Sequence, residues 1–170
     1  ENAAREPLIC DLACFLNACG ANITNYGTDT VTVYGNKHLH GGSFKLRGDM
    51  IEAGTYMLTP LICGGNVCLR NAPIHDLECI ISILRSIGAG IDIENGVITV
   101  SKSMLKPFEI TTAPYPDFPT DLHPQFTVLA SVCNGTSNIT EAVFDSRFAY
   151  LSPLRKMGLN CIIEDDKVKE

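Results

Sequence analysis

Apolar residues recur at helical spacing in five segments of the chain, and short alternating segments lie between them. Three helical segments carry a polar face, as surface helices do, and cover residues 3–19, 74–87 and 147–157. The other two, residues 50–63 and 122–133, are apolar on nearly every side. The predicted strands cover residues 21–24, 30–34, 43–46, 66–70, 90–93, 96–100, 108–111, 137–139 and 160–164. The pattern predicts a mixed α/β protein.

The three amphipathic helices end in the same way. In each, a leucine lies four residues before a glycine, which tolerates the left-handed backbone of a helix cap, and a short strand follows. These glycines are Gly20, Gly88 and Gly158, and their spacing of about 70 residues is longer than that of solenoid repeats. One supersecondary unit is therefore predicted to be used several times.

The unit is complete over residues 43–101, in the order βαβαββ, with a tight hairpin turn predicted at Asn95-Gly96. A second copy begins at residue 108 and runs to the end of the sequence, whereas residues 3–34 form the second half of a unit. The two apolar helices are expected to be buried, which predicts an inside-out α/β arrangement with sheets outside the helices. Pro60 should remove a backbone hydrogen bond from the first of them, at a cost of roughly 3 kcal/mol unless the helix kinks.

Composition and charge narrow the range of partners. The 170 residues have a net charge of −6, which argues against a broad surface for nucleic acid or anionic membranes, and we expect no nucleic-acid partner. No apolar run approaches the ~20 residues of a membrane-spanning helix, and no signal peptide is visible, so we expect no membrane insertion.

Eight cysteines could indicate a secreted disulfide framework, but three of them share one amphipathic helical pattern and the other five lie among aliphatic residues, as small buried hydrophobes do. No Cys-x-x-Cys pair occurs, and the histidines are not spaced with cysteines as zinc ligands are. We therefore expect reduced thiols, no metal and no cofactor.

Several short motifs, which occur in one order along the whole chain, carry a family resemblance. They are Glu1–Pro7, Gly48–Thr55, Ala113–Asp121, Gly135–Glu141 and Val143–Phe148. Together they resemble the enolpyruvyl transferases that act on UDP-N-acetylglucosamine, the 1-carboxyvinyltransferases. This resemblance implies an inside-out α/β barrel of two globular domains, each made of three βαβαββ units. It places residues 1–47 at the end of the first domain and residues 48–170 at the start of the second.

The resemblance implies transfer of enolpyruvate from phosphoenolpyruvate to the 3′-hydroxyl of UDP-N-acetylglucosamine, by addition and then elimination of phosphate. That reaction opens peptidoglycan synthesis in the bacterial cytoplasm, and with it cell-wall biogenesis, cell shape and cell division. It needs a proton acceptor, a proton donor and cations around the phosphate. In the family, the loop with the acid (Cys or Asp) and most of those cations lie outside the matched stretch. We therefore expect the 170-residue chain alone to be inactive and to need the rest of its own chain.

Asp121 is the candidate catalytic residue. It matches the family's aspartate in the motif Phe-Pro-Thr-Asp, which binds the sugar 3′-hydroxyl and accepts its proton. From spacing alone, capping of the following helix by Thr120 or Asp121, worth about 1 kcal/mol, is the commoner role for such residues.

Four further residues match substrate-binding positions of the family. The Val143 backbone matches a contact to the uridine-sugar nucleotide, although a valine at a strand end is often core. Arg147 matches a candidate substrate contact, or is a paired structural arginine. Glu6 and Asp49 match acidic positions near the cleft between the domains, or are ordinary acids in the first turn of a helix.

The chain departs from the family beside these positions. Met50 stands where the family usually has arginine, Leu122-His123-Pro124 replaces Met-Gln-Ala, and Asp145-Ser146 replaces Glu-Asn. Two other functions stay open. The chain could be a non-catalytic nucleotide-sugar-binding module, or part of a sister enolpyruvyl transferase acting on shikimate 3-phosphate.

Overall fold

The computed structural model describes residues 1–35, 38–164 and 167–169. The chain divides into two compact units, one formed by residues 1–47 with 114–116 and the other by residues 48–113 with 117–170. The assignment of these units to two different globular domains stays a prediction.

The first unit contains one helix and a hairpin. Helix α1 covers Pro7–Ala18, and strands β1 (Asn22–Thr24) and β2 (Thr32–Tyr34) pair antiparallel. The helix begins four residues later than the predicted Ala3, because Glu6 precedes a proline and is held in an extended conformation (φ −52°, ψ 144°). Pro7, which has no N–H to pair, takes the first helical position.

The second unit opens with the copy of the repeat predicted over residues 43–101. It contains α2 (Met50–Cys63), β3 (Asn66–Arg70), a 3-10 turn (Ile74–Leu77), α3 (Glu78–Ser86), β4 (Gly90–Glu94) and β5 (Val97–Ser101). The three strands form an antiparallel sheet in the order β3-β5-β4. Asn95 and Gly96 both have positive φ (49° and 77°), so the predicted tight turn is confirmed. The strand predicted over residues 43–46 is wrong, since in the described chain this segment pairs with no strand.

The second copy has the same connections. Its elements are β6 (Glu109–Thr111), a 3-10 turn (Thr120–Leu122), α4 (His123–Ala130), β7 (Asn138–Thr140), α5 (Leu151–Lys156), β8 (Ile162–Glu164) and β9 (Lys167–Lys169). The sheet order is β6-β7-β9-β8, with β6 and β7 parallel and the other pairs antiparallel. Because β7-β9-β8 repeats the arrangement of β3-β5-β4, the predicted repeat is confirmed from its first helix onward, whereas in the described residues the initial strand of the unit is present in the second copy and not in the first.

Two helices of this copy are shorter than predicted. Helix α5 begins at Leu151 rather than Arg147, which places Pro153 in its first turn; a helix from Arg147 would put this proline, which has no N–H and clashes with the carbonyl four residues earlier, in the helix interior. Helix α4 begins at His123, after the 3-10 turn, and ends at Ala130 rather than at 133.

The three helix ends repeat one hydrogen-bonding pattern. At each end the glycine has positive φ: 93° at Gly20, 101° at Gly88 and 104° at Gly158. The residue after each glycine donates its N–H to the carbonyl of the leucine five positions earlier, at 3.0, 2.9 and 3.1 Å. This is the Schellman cap expected from the sequence, with leucines 16, 84 and 154 as acceptors.

The hydrophobic core of the second unit surrounds α2 and α4. None of the eight residues of α4 is exposed, as predicted for a helix without a polar face. In contrast, α2 exposes a stripe formed by Glu52, Tyr56, Thr59 and Cys63, so the expectation that it is buried on all sides is wrong. Pro60 lies inside α2, and the carbonyl that loses its helical partner is that of Tyr56, on this stripe.

None of the cysteines, all of which lie in the described ranges, forms a disulfide bond, and they are not all buried. Cys19 is buried, whereas Cys63 and Cys68 are exposed. None of the helices in the described parts of the chain is long and apolar enough to cross a membrane.

Candidate active site

Asp121 lies in the 3-10 turn that precedes α4, and its side chain is 60% exposed. Its Oδ1 accepts a hydrogen bond of 2.6 Å from Nη2 of Arg147. No side chain caps α4 or the 3-10 turn, so the capping role that spacing alone favours is wrong for Thr120 and Asp121. The carboxylate is instead presented at the surface beside a cation.

Arg147 lies in the loop between β7 and α5, close to the positive-φ residue Ser146. Besides its bond to Asp121, its Nη1 donates to Oγ1 of Thr120 at 3.0 Å. Its guanidinium carbon lies 5.1 Å from the centre of the Phe144 ring. The arginine is therefore paired, and its two nitrogens contact two neighbouring residues of the 3-10 turn. An ion pair this exposed contributes at most about 1 kcal/mol to stability, so its geometry matters more for the site than for the fold.

Glu141 follows β7 and has a fully buried carboxylate that accepts hydrogen bonds from three segments. Oε1 accepts from the hydroxyl of Thr112 at 2.8 Å and from the backbone N–H groups of Val143 and Phe144 at 2.8 and 3.0 Å. Oε2 accepts from the hydroxyl of Thr120 at 2.6 Å. Burial raises the pKa of Glu141, but the four hydrogen bonds outweigh burial, and the pKa is lowered below its usual value. The carboxylate is therefore ionised at neutral pH.

The buried side chain of His123 lies beside this carboxylate, with its Nδ1 3.4 Å from Oε2 of Glu141. This contact is not a hydrogen bond, and within the described chain the buried Nδ1 atom has no hydrogen-bond partner. On the other side of the ring, Nε2 lies 3.1 Å from the hydroxyl of Tyr150, which also contacts Oγ1 of Thr127 at 2.9 Å. Burial lowers the pKa of His123, more than the nearby Glu141 raises it. Burial likewise raises the pKa of Tyr150 to about 12, so both side chains are neutral at pH 7.

Val143 is half-buried and lies in the loop beyond the end of β7, not in the strand or in the core. Its backbone N–H is held by Glu141. The alternative reading of Val143 as a core valine at a strand end is therefore wrong.

Asp49 and Glu6 lie on other elements. Asp49 is the N-cap of α2, and its Oδ1 accepts from the backbone N–H groups of Ile51 and Glu52 at 2.7 and 3.1 Å. Asp49 thus has a structural role, but as the cap that precedes the first turn and not as an acid within it; the first turn of α1, which lies wholly in the described residues, contains no acid, so the same alternative is wrong for Glu6. Glu6, in the first unit, directly precedes α1 without capping it, and its buried Oε2 has no hydrogen-bond partner in the described chain.

Three of the five predicted site residues thus belong to one hydrogen-bonded group, in which Thr120 and Glu141 link Asp121, Val143 and Arg147. Glu141 was not predicted as a site residue. The signal that could have found it is its place as the last residue of the motif Gly135–Glu141, two residues beyond the predicted strand 137–139. In the described ranges, no cluster of three or more His, Cys, Asp or Glu side chains could hold a metal ion.

Comparisons with solved structures and with a family model identify the class of protein. The structure matches that of the enolpyruvyl transferase NikO from Streptomyces tendae with a TM-score of 0.84, at 23% identity, over 96% of this chain and 40% of that one. The chain belongs to the EPSP synthase (3-phosphoshikimate 1-carboxyvinyltransferase) family, whose model matches residues 1–170. The enolpyruvyl transferase fold expected from the sequence motifs is confirmed.

Similar curated proteins carry a more specific name. The chain is 46% identical over 160 residues to the UDP-N-acetylglucosamine 1-carboxyvinyltransferase of Aeromonas hydrophila. The matched stretch covers 93% of this chain and 38% of that protein. It is 44% identical over 170 residues to the enzyme of the same name from Klebsiella pneumoniae, covering 98% of this chain and 40% of that protein. The chain thus spans about two fifths of the length of these relatives.

Proposed function

We propose that the protein containing this chain transfers enolpyruvate from phosphoenolpyruvate to the 3′-hydroxyl of UDP-N-acetylglucosamine and releases phosphate. The observation that carries the proposal is the pairing of an exposed carboxylate, Asp121, with Arg147 within one network. The names of the relatives at 44–46% identity support the choice of acceptor. In this role the protein acts in the bacterial cytoplasm, at the first committed step of peptidoglycan synthesis.

In the addition step, the 3′-hydroxyl oxygen bonds to C2 of phosphoenolpyruvate, and C3 takes a proton. Asp121 accepts the hydroxyl proton at the carboxylate oxygen that Arg147 does not bind. A carboxylate whose other oxygen is held at 2.6 Å by a guanidinium has one preferred orientation, which aligns the acceptor hydroxyl for attack.

In the elimination step, C3 loses a proton, the C2–O bond to phosphate breaks, and the double bond re-forms. The acid for C3 and most cations for the phosphate are supplied by segments of the protein outside this chain. The backbone of Val143, in the loop held by Glu141, contacts the nucleotide sugar. Asp49 is a weaker candidate for a contact to substrate, because its carboxylate already caps α2. Glu6 is also a weaker candidate, because it lies in the first unit, outside the hydrogen-bonded group.

The family description names a different acceptor, 3-phosphoshikimate, which keeps the sister reaction as a second candidate. We also propose that residues 1–47 end one globular domain and residues 48–170 begin another.

The test uses the full-length protein with phosphoenolpyruvate and either UDP-N-acetylglucosamine or shikimate 3-phosphate, with phosphate release as the readout. We expect turnover with the nucleotide sugar only. Turnover with shikimate 3-phosphate only would replace the proposal with the sister reaction. Nucleotide-sugar binding without turnover would indicate a binding module.

The role of Asp121 is tested by Asp121→Ala, which we expect to lower kcat by about 10²- to 10⁴-fold, the usual contribution of a general base. The matched control is Asp117→Ala, which removes an exposed aspartate of the same motif. Thermal melts of both variants establish that the fold is intact. Normal turnover by Asp121→Ala contradicts the assignment.

A further inference from the structure

Glu141 joins the two segments that carry the proposed site residues. Asp121 lies in the turn that also contains Thr120, and Val143 and Arg147 lie in the loop after β7. The carboxylate of Glu141 holds Thr120 through Oε2 and the loop backbone through Oε1. One fully buried side chain thus contacts both segments.

A buried carboxylate destabilises the folded state unless its oxygens accept well-formed hydrogen bonds. Glu141 satisfies this condition with two hydroxyl and two backbone donors at 2.6–3.0 Å. An apolar residue could fill the same volume but could not accept these hydrogen bonds. The arrangement is therefore built around an acceptor with two oxygens.

Thr120 transmits this constraint to Arg147. An ionised carboxylate only accepts, so the single hydroxyl hydrogen of Thr120 must point at Oε2 of Glu141. The lone pairs of the same oxygen are then turned to Nη1 of Arg147, 3.0 Å away. Because the guanidinium is planar and rigid, fixing Nη1 also fixes Nη2, which binds Asp121 at 2.6 Å.

We propose that Glu141 is a positioning residue, which acts through the Thr120 hydroxyl to hold Arg147 and Asp121 in the geometry used for enolpyruvyl transfer. This inference rests on the proposed function and adds two residues to it, Glu141 and Thr120. Neither residue touches the reacting atoms, so both should affect kcat through the placement of Asp121.

The test compares Glu141→Gln, Thr120→Val and Thr120→Ser in the full-length protein. Glu141→Gln keeps the shape but presents an NH₂ group to one of its partners, and Thr120→Val removes only the relaying hydroxyl. Thr120→Ser retains the hydroxyl group. The matched control is Glu109→Gln, which removes the charge of an exposed glutamate on β6.

We expect Glu141→Gln and Thr120→Val each to lower kcat by about 10- to 100-fold per folded molecule, the size of effect that follows a small misplacement of a catalytic group. KM for the nucleotide sugar should change less than kcat. The double variant should be no slower than the slower single variant, because both substitutions break one linkage. Thr120→Ser and Glu109→Gln should stay within about 3-fold of the unsubstituted protein.

Two results would overturn the inference. The first is a loss of activity that merely follows the loss of folded protein, with kcat per folded molecule unchanged, which indicates a structural role only. The second is a normal rate for Thr120→Val beside a slow Glu141→Gln, which excludes the relay. If the unsubstituted protein turns over no acceptor, the proposed function fails. The positioning role is then tested by crystal structures of the unsubstituted protein and of Thr120→Val. An unchanged contact between Arg147 and Asp121 in the variant contradicts the positioning role.

Discussion

His123 is a buried histidine whose two ring nitrogens face different groups, a carboxylate on one side and a phenol on the other. Burial lowers its pKa, and this effect exceeds the opposite influence of Glu141, while Arg147 lowers the pKa further. The neutral ring packs edge-on against Phe148 and Tyr150, with centroid distances of 5.4 and 5.5 Å. The residue therefore contributes to the core as an uncharged group.

This burial predicts a dependence of stability on pH. Below pH 6.5, the ordinary pKa of histidine, the unfolded chain binds a proton that the folded chain resists, so the free energy of unfolding falls as the pH falls. Above that pH both states are neutral and the effect vanishes. Glu141 adds a separate loss only below pH 4.5, because its pKa is lowered from that value.

The measurement is the melting temperature of the full-length protein between pH 7.5 and about pH 5. We expect His123→Gln to flatten the acid side of the profile. Each kcal/mol lost lowers the melting temperature by about 2–4 °C in a domain of this size. The control is His75→Gln, since the side chain of His75 is 95% exposed. Equal profiles for His123→Gln and the unsubstituted protein would contradict the prediction.

The sequence predicted some residues of the candidate site but not the contacts that join them. Asp121, Val143 and Arg147 were predicted from motifs. The sequence could not show that Glu141 links them, because that role depends on three segments meeting in space. The burial of His123 follows from the predicted burial of the helix over residues 122–133, but its contacts with Glu141 and Tyr150 depend on the same meeting of segments.

At the scale of elements, the contact between α2 and the 3-10 turn before α4 depends on a glycine. A Cβ atom at Gly54 of α2 would lie 2.7 Å from Cδ1 and 3.2 Å from Cδ2 of Leu122. Leu122 is fully buried, so its side chain has little room to move. It also directly follows Asp121, so the helix contact borders the proposed site.

We therefore predict that Gly54→Ala destabilises the protein, although alanine favours helices by about 1 kcal/mol over glycine. Overpacking of a dense core typically costs about 1–3 kcal/mol. Leu122→Val removes both Cδ atoms as contacts and should recover part of the loss in the double variant. Chemical denaturation measures the four free energies, with Gly41→Ala as control because no atom lies within 4 Å of its added Cβ. Additive effects of the two substitutions would show that the contact is not limiting.

The pattern of apolar and polar residues predicted some helices, strands and turns correctly and others incorrectly. Helix α2, the Asn95-Gly96 turn and the glycine caps follow from nearby residues and agree with the structure. The strand predicted over residues 43–46 has the right pattern, but a strand also needs a partner for its backbone, which no nearby residue specifies. The late start of α5 keeps Pro153 in the first turn of the helix, a constraint that apolar periodicity alone does not include.

At the scale of the whole chain, α1 carries an apolar stripe at the surface. Leu8, Leu12 and Phe15 are 68%, 53% and 41% exposed, at the spacing of one helix face. When the copies are aligned on their cap glycines, Leu12 corresponds to Ile80 of α3, which is completely buried. A side chain that is buried at this position of α3 is thus exposed in α1.

We predict that the 170-residue chain on its own self-associates and has no transferase activity. Sedimentation velocity at increasing concentration should show species larger than the monomer, because an apolar stripe of this kind favours association. Leu8→Lys with Leu12→Lys should shift the distribution toward monomer. Met104→Lys, which changes an exposed apolar residue elsewhere, is the control. A sharp monomer peak at all concentrations would contradict the prediction.

The three glycine caps place one backbone motif in three different surroundings within the same chain. A Cβ at Gly20 would meet the His40 ring at 3.0 Å, one at Gly88 would meet the Met104 carbonyl at 3.2 Å, and one at Gly158 would meet no atom within 4 Å. Alanine at Gly158 therefore measures the cost of the left-handed conformation alone, and alanine at the other two adds crowding. Because the repeat provides the same cap three times in one chain, the free-energy cost of the left-handed conformation can be separated from the cost of crowding by neighbouring atoms.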